Sequence, residues 1–132
     1  MTEPQQIRLD PDPLEPYHLS QGFRVGDLVI VSGQAALDEH GSIVGVGDFD
    51  AQAEQTFQNL ARVLEAGGSS LDRVVKVTIF LTDMANFPKI VELRKRWFTA
   101  PYPADTIVEV GSLALPELVI EIEAIAVAAD SA

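Results

Sequence analysis

The residues from Leu118 to Val127 alternate in a way that suits an extended chain. Successive side chains of a strand point to opposite faces. Leu118, Ile120, Ile122, Ala124 and Ala126 therefore form one wholly apolar face. Val119, Glu121, Glu123, Ile125 and Val127 form the other, with two carboxylates side by side in an otherwise apolar row. An ionised carboxylate is costly to bury without a partner. These two acids stand either in water on an edge or rim strand, or at a site where a ligand or a neighbouring subunit meets them.

The same reading extends along the chain. Leu28-Val29-Ile30-Val31 is apolar on both faces and predicts a central strand. Residues 18–24 predict a strand before it, and the Gly-Asp pair in Val25-Gly26-Asp27 signals a hairpin. Ser32-Gly33-Gln34 closes the central strand. A glycine there either admits a ligand or another backbone, or marks a bulge or bend. After an acidic, glycine-rich loop over 38–48, Asp50 is the expected cap of a helix. Its buried stripe is Ala53, Phe57, Leu60, Ala61 and Leu64, and Gly67-Gly68 ends it.

Val74 to Leu81 predicts a third strand, with Val75, Val77, Ile79 and Leu81 on one face and Val74, Lys76, Thr78 and Phe80 on the other. Asn86 is the expected cap of a second helix, with Pro88 in its first turn and apolar positions at Phe87, Ile90, Val91, Trp97 and Phe98. Pro101 and Pro103 stop it; a fourth strand over 104–110 and a fifth over 118–128 follow. Residues 1–16 hold four prolines and read as a loose arm, with an uncounted short strand near Ile7 to Leu9.

The order is β-β-α-β-α-β-β, an α/β or α+β layer fold of one domain over residues 1–132. Two helices of this length cover one face of a sheet. Several strands are apolar on both faces, so a second apolar face is left for a partner, and a homo-oligomer is expected.

Composition narrows the function classes. An apolar fraction of 47% supports a core. The apolar runs are too short to span a bilayer, and the polar, acidic start does not resemble a signal peptide. No cysteine is present, which excludes disulfides and thiolate chemistry and permits a cytoplasmic address. Nine Lys and Arg against twenty Asp and Glu give a net charge of -11, a poor basis for neutralising phosphates, so no nucleic-acid partner is expected. Two histidines, His18 and His40, cannot build a three-histidine metal site. No P-loop, dinucleotide fingerprint or nucleophile elbow appears. The chemistry is left to polar groups on mixed faces: Asp105, Ile107 and Glu109 share a face of the fourth strand, Glu121 and Glu123 a face of the fifth. If those strands pair, the gathered acids raise at least one pKa. Otherwise they alternate between solvent and rim.

Several stretches resemble the RidA (YjgF-like) family. They are Leu19-Ser20-Gln21-Gly22 with Val25-Gly26-Asp27-Leu28-Val29-Ile30-Val31-Ser32-Gly33-Gln34, and Val74-Val75-Lys76-Val77-Thr78-Ile79-Phe80-Leu81-Thr82-Asp83-Met84. Pro103-Ala104-Asp105-Thr106-Ile107-Val108-Glu109-Val110 and Glu121-Ile122-Glu123-Ala124-Ile125-Ala126 complete the resemblance, which covers about residues 18–127 in order. It implies a chorismate-mutase-like α+β fold: a mixed sheet packed by two helices, assembled as a homotrimer with clefts between subunits. It also implies hydrolysis of reactive enamines and imines with release of ammonia, without metal or cofactor.

Carried over position by position, the glutamate that positions water is Glu121, and the glycine whose backbone lines the pocket is Gly33, beside Ser32. The active deaminases carry an arginine in Pro-Ala-Arg that grips the substrate carboxylate; here the residue is Asp105. The frequent cysteine two residues on is Ile107, and the frequent tyrosine before Ser-Gln is Leu19, with Tyr17 nearby. An aspartate in place of that arginine implies a substrate other than a 2-imino acid, with Asp105 meeting a cationic or hydroxyl-bearing group. The alternative is a non-catalytic trimer that binds a small ligand or a protein partner. An endoribonuclease, as some family members are labelled, conflicts with the acidic charge and the lack of a histidine pair for acid–base cleavage.

Overall fold

The computed structural model describes residues 3–129; the remaining residues of the expected domain lie outside the described part. Six strands form one mixed sheet: β1 (Gln5–Ile7), β2 (Gly22–Val25), β3 (Leu28–Gln34), β4 (Val74–Leu81), β5 (Ala104–Glu109) and β6 (Ile120–Val127). Two helices, α1 (Phe49–Ala66) and α2 (Phe87–Trp97), follow β3 and β4. The spatial order is β1-β2-β3-β6-β4-β5. Only β4 and β5 run parallel, joined by the α2 crossover. The fold is α+β, a mixed sheet packed by two helices.

The alternation of β6 is realised as read. Ile120, Ile122, Ala124 and Ala126 are buried, against Phe57, Leu60, Val63 and Leu64 of α1. Phe57 stacks on Trp97 at 5.3 Å and meets Phe98 edge-on at 5.8 Å, which draws both helices onto one face of the sheet. The other face carries exposed Phe23, Leu28, Ile30 and Ile125. Gly26, at φ +60°, makes the β2–β3 turn without the steric penalty of a side chain.

Several local expectations change. The arm is tied to the sheet: β1 pairs with β2, and Ile7 is buried. One buried residue in three gives too little periodicity to announce that strand. Helix α1 is capped by Asp48, whose carboxylate accepts from the Ala51 N–H at 3.1 Å. Asp50 lies in the first turn because Phe49, packed against the core, is already helical. Asn86 makes no side-chain cap; Asp83, just before, accepts from Ala85 N–H. In α2 only Ile90 is buried, with Phe98 just beyond, while Phe87 and Val91 are exposed. A register shift between Val74 and Lys76 turns Val74 inward and leaves Val75 47% exposed, the reverse of strict alternation.

Candidate active site

A cleft of about 320 Å³ opens between the end of β3, the start of β6, α1 and the segment that follows β1. Its walls are mostly aliphatic, from Leu9, Leu14, Leu37, Leu115 and Leu118. Leu37 and Leu118 belong to a second small core with Ala36, built by the loops after β3 and before β6. Polar residues of α1 hold these loops. Asn59 donates to the carbonyls of Ala35 and Leu37, both at 2.8 Å. Gln52 donates to Glu117 O at 2.8 Å and accepts from the Val119 N–H at 2.9 Å. Both are buried on the inner side of α1. Their helical spacing with Thr56 and Val63 was the available sign that this face is polar for a reason.

Glu121 enters the cleft from β6. Burial pushes its pKa up, and the charge of Glu123 adds to the rise. Gly33 stands across from it in a stretch where β3 and β6 shift register, between Val31 and Gln34. A methyl on Gly33 would lie 2.5 Å from Oε2 of Glu121 and 2.8 Å from its carboxyl carbon. The carboxylate rests on the space a side chain would fill, so the glycine serves both as part of an irregular strand and as a seat for Glu121.

Tyr17 and Leu19 line the same cleft and are more than half exposed, at its rim. Ser32 stitches β3 to the neighbouring segment: its hydroxyl donates to Ser20 O at 2.6 Å and its N–H to Gln21 O at 2.8 Å. It is beside Gly33 but not among the lining residues. The sequence pattern did not single out Gln21, Gln34, Asn59 or Arg62, which also line the cleft.

Asp105 and Ile107 lie elsewhere within the chain. Strand β4 sits between β5 and β6, so the gathering of acids expected from their pairing does not occur. Asp105 is held by Arg94 of α2 in a bidentate ion pair at 2.9 and 3.0 Å. Ile107 packs on the main core. Glu109 accepts from the Met84 N–H at 2.8 Å. Glu123 lies beside a shallower depression with Lys76 and Thr78. Among the described residues no group of three or more His, Asp or Glu could hold a metal ion. No helix among them is long and apolar enough to cross a membrane.

Comparison with known proteins places this geometry in context. The family model described as Endoribonuclease L-PSP matches residues 8–128. A RutC family protein of Pyrococcus horikoshii is 39% identical, over 88% of this chain and 90% of its own. The 2-iminobutanoate/2-iminopropanoate deaminase of Dermatophagoides farinae is 37% identical, over 80% of each chain. The crystal structure of RidA from an Antarctic Psychrobacter superimposes with a TM-score of 0.85 at 37% identity, covering 93% of this chain and 98% of that one. The YjgF gene product of E. coli gives a TM-score of 0.82 at 31% identity, with the same two coverages. The chain belongs to the RidA (YjgF-like) family.

Proposed function

We propose that this protein hydrolyses a small imine or enamine to a carbonyl compound and ammonia, with Glu121 as its acid–base group. The observation that carries the reading is the desolvated Glu121 carboxyl seated on Gly33 at the floor of an open cleft. A carboxyl with a raised pKa is suited both to take and to return a proton. An enamine first tautomerises to the imine, its N–H proton passing to the β-carbon; Glu121 then takes a proton from water as the water oxygen bonds to the C=N carbon. The π pair passes to nitrogen, which receives that proton. The resulting carbinolamine loses ammonia as its hydroxyl proton moves to nitrogen through the same carboxyl. The similarity to a named 2-iminobutanoate/2-iminopropanoate deaminase supports this chemistry.

The substrate differs from the 2-imino acids. Position 105, which would meet the cleft only from a neighbouring subunit, offers no free guanidinium, since its aspartate is taken up by Arg94. The aliphatic walls suit an apolar body without an acid group. No cofactor is required, and RNA is a poor substrate for a chain of net charge -11. The exposed apolar face of the sheet is the contact of a homotrimer, with the clefts at the subunit boundaries. The absence of cysteine suits a cytoplasmic address.

The test is ammonia release from enamines generated in situ from a panel of apolar amines and amino acids, for wild type and Glu121→Gln. Release by wild type that disappears in Glu121→Gln supports the reading. Release that survives Glu121→Gln overturns the role of Glu121. A trimer that binds panel compounds and releases no ammonia is the non-catalytic ligand-binding alternative.

A further inference from the structure

A chain of three side chains beside the cleft has a direction fixed at both ends. Oδ1 of Asp12 accepts from the backbone N–H of Leu14 at 3.0 Å, and a backbone N–H can only donate. The same oxygen accepts from Nε2 of Gln21 at 2.7 Å. Gln21 must therefore turn its amide oxygen the other way, where it accepts from Nε2 of Gln34 at 2.9 Å. That nitrogen also donates to the carbonyl of Ser32 at 3.2 Å, and a carbonyl can only accept. Neither amide can be flipped without setting acceptor against acceptor.

The end of the chain is Oε1 of Gln34. Gln34 is only 5% exposed and lines the cleft, yet this oxygen accepts no hydrogen bond from any described residue. That oxygen is not among the buried polar atoms left without a partner in the described residues, so it is open to the cleft, where water or a ligand N–H can reach it.

We propose that Gln34 is a substrate-binding residue that accepts a hydrogen bond from an N–H of the ligand, and that Asp12 and Gln21 are positioning residues that aim it. The inference rests on the reading of the cleft as the reaction site and narrows the substrate class. The acceptors offered by the lining are Gln34 Oε1 and the carboxylates of Glu121 and Asp38, while the Tyr17 hydroxyl, at the exposed rim, can donate or accept. The amide nitrogen of Asn59 is occupied by two backbone carbonyls. The cation among the lining residues, Arg62, is on the exposed side of α1. A ligand that fits has an apolar body and a nitrogen bearing hydrogen: a primary imine, iminium or amine. An acceptor on that nitrogen turns the C=N carbon toward the water held by Glu121.

The experiment measures calorimetric binding of benzamidine and of benzoate, an N–H donor and an acceptor on the same ring, to the full-length protein. The forms compared are wild type, Gln34→Met and Asp12→Ala. Wild type is expected to bind benzamidine and to bind benzoate much more weakly. Gln34→Met is expected to bind benzamidine roughly tenfold more weakly, the effect of one lost hydrogen bond in a dry site. Asp12→Ala, which removes the acceptor that fixes both amides, lets Gln21 and Gln34 flip and is expected to bind benzamidine more weakly than wild type and to narrow the preference over benzoate. If Gln34→Met fails to fold, Asp12→Ala decides: benzamidine binding and a preference over benzoate both unchanged from wild type overturn the proposal. Equal benzamidine affinity in wild type and Gln34→Met, or preference of wild type for benzoate, also overturns it. The catalytic reading fails separately. Amidine binding that depends on Gln34 without ammonia release from the panel keeps this inference and removes that reading. Turnover with a KM insensitive to Gln34→Met does the opposite.

Discussion

Gly33→Ala separates the chemistry of the cleft from the stability of the fold. The added methyl would sit 2.5 Å from Oε2, 2.8 Å from Cδ and 3.1 Å from Cγ of Glu121. Ordinary contact begins near 3.4 Å, so the carboxyl end must withdraw by roughly an ångström. It can do so, because the obstructing atoms are the far end of a flexible side chain and not backbone. Gly33 has no positive φ, so the backbone tolerates alanine. An off-rotamer adjustment of Glu121 costs about 0.5–1.5 kcal/mol. Loss of glycine freedom in the unfolded chain offsets about 0.4–1 kcal/mol of that. The net change in stability is therefore within about 1 kcal/mol, a shift in Tm of a few degrees at most.

Activity is far more sensitive. Misplacing a reacting group by about 1 Å costs about 10²-fold in rate. Gly33→Ala is expected to lower kcat for ammonia release about a hundredfold while the melting curve barely moves. A carboxyl pushed toward water also loses part of the burial that raises its pKa, so the acid limb of the pH–rate profile moves to lower pH. Activity within a factor of about three of wild type would show that Glu121 does not work from the Gly33 seat. A loss of Tm far beyond a few degrees would show that the glycine is needed for the β3–β6 backbone itself.

Glu123→Gln removes the second cause of the raised Glu121 pKa and should move the acid limb of kcat to lower pH, read from a pH–rate profile. Because the folded-state pKa of Glu121 is raised, the wild type loses stability as pH rises from the ordinary glutamate value of 4.5 through the folded pKa; Glu121→Gln should flatten that slope in urea titrations at several pH values. Asp105→Ala leaves Arg94 without its fork and should cost roughly 1.5–3 kcal/mol in urea unfolding; an unchanged midpoint would make the pair energetically idle. Ile30→Asp puts a charge on the exposed apolar face, opposite Ile125, and should convert the proposed trimer to a smaller species in sedimentation velocity.

How much of this was legible in the sequence depends on the range of each interaction. Strand β6 and helix α1 were legible because their periodicity is written in consecutive residues. The start of α1 was misplaced by two residues because two aspartates flank Phe49, and only tertiary packing makes Phe49 helical. The inversion at Val74 and Val75 comes from the register of β4 against β6, a pairing of segments far apart in sequence. The sheet order has the same origin: nothing local says that β4 slides between β5 and β6. In the cleft, the carboxylate of Glu121 and the gap at Gly33 were visible as residue types. The aim of Gln34 was not, because it is dictated by Asp12 in a segment that reads as a loose arm.

Position 105 shows why a residue type alone misjudges charge. An aspartate in place of a gripping arginine reads as repulsion for an acid substrate. Arg94, one helix earlier, returns a positive charge to the same place at hydrogen-bond distance. Together the two side chains carry no net charge, and both are largely buried. What the substitution removes is a free donor fork; it does not install a free anion. The handicap for a carboxylate substrate is then the loss of one charge-assisted contact, roughly 1.5–3 kcal/mol or about ten- to a hundredfold in affinity, and not outright exclusion. Asp105→Arg by itself sets two guanidinium groups against each other, so it should recover little activity on 2-imino acids. Asp105→Arg combined with Arg94→Asp restores the pair in reverse and keeps the new arginine occupied. Asp105→Arg with Arg94→Ala leaves a free guanidinium at position 105. Of the three variants it alone should gain turnover of 2-iminopropanoate, measured as keto-acid release. Equal gains in all three would mean that charge at position 105 acts at long range and that the pair with Arg94 is irrelevant.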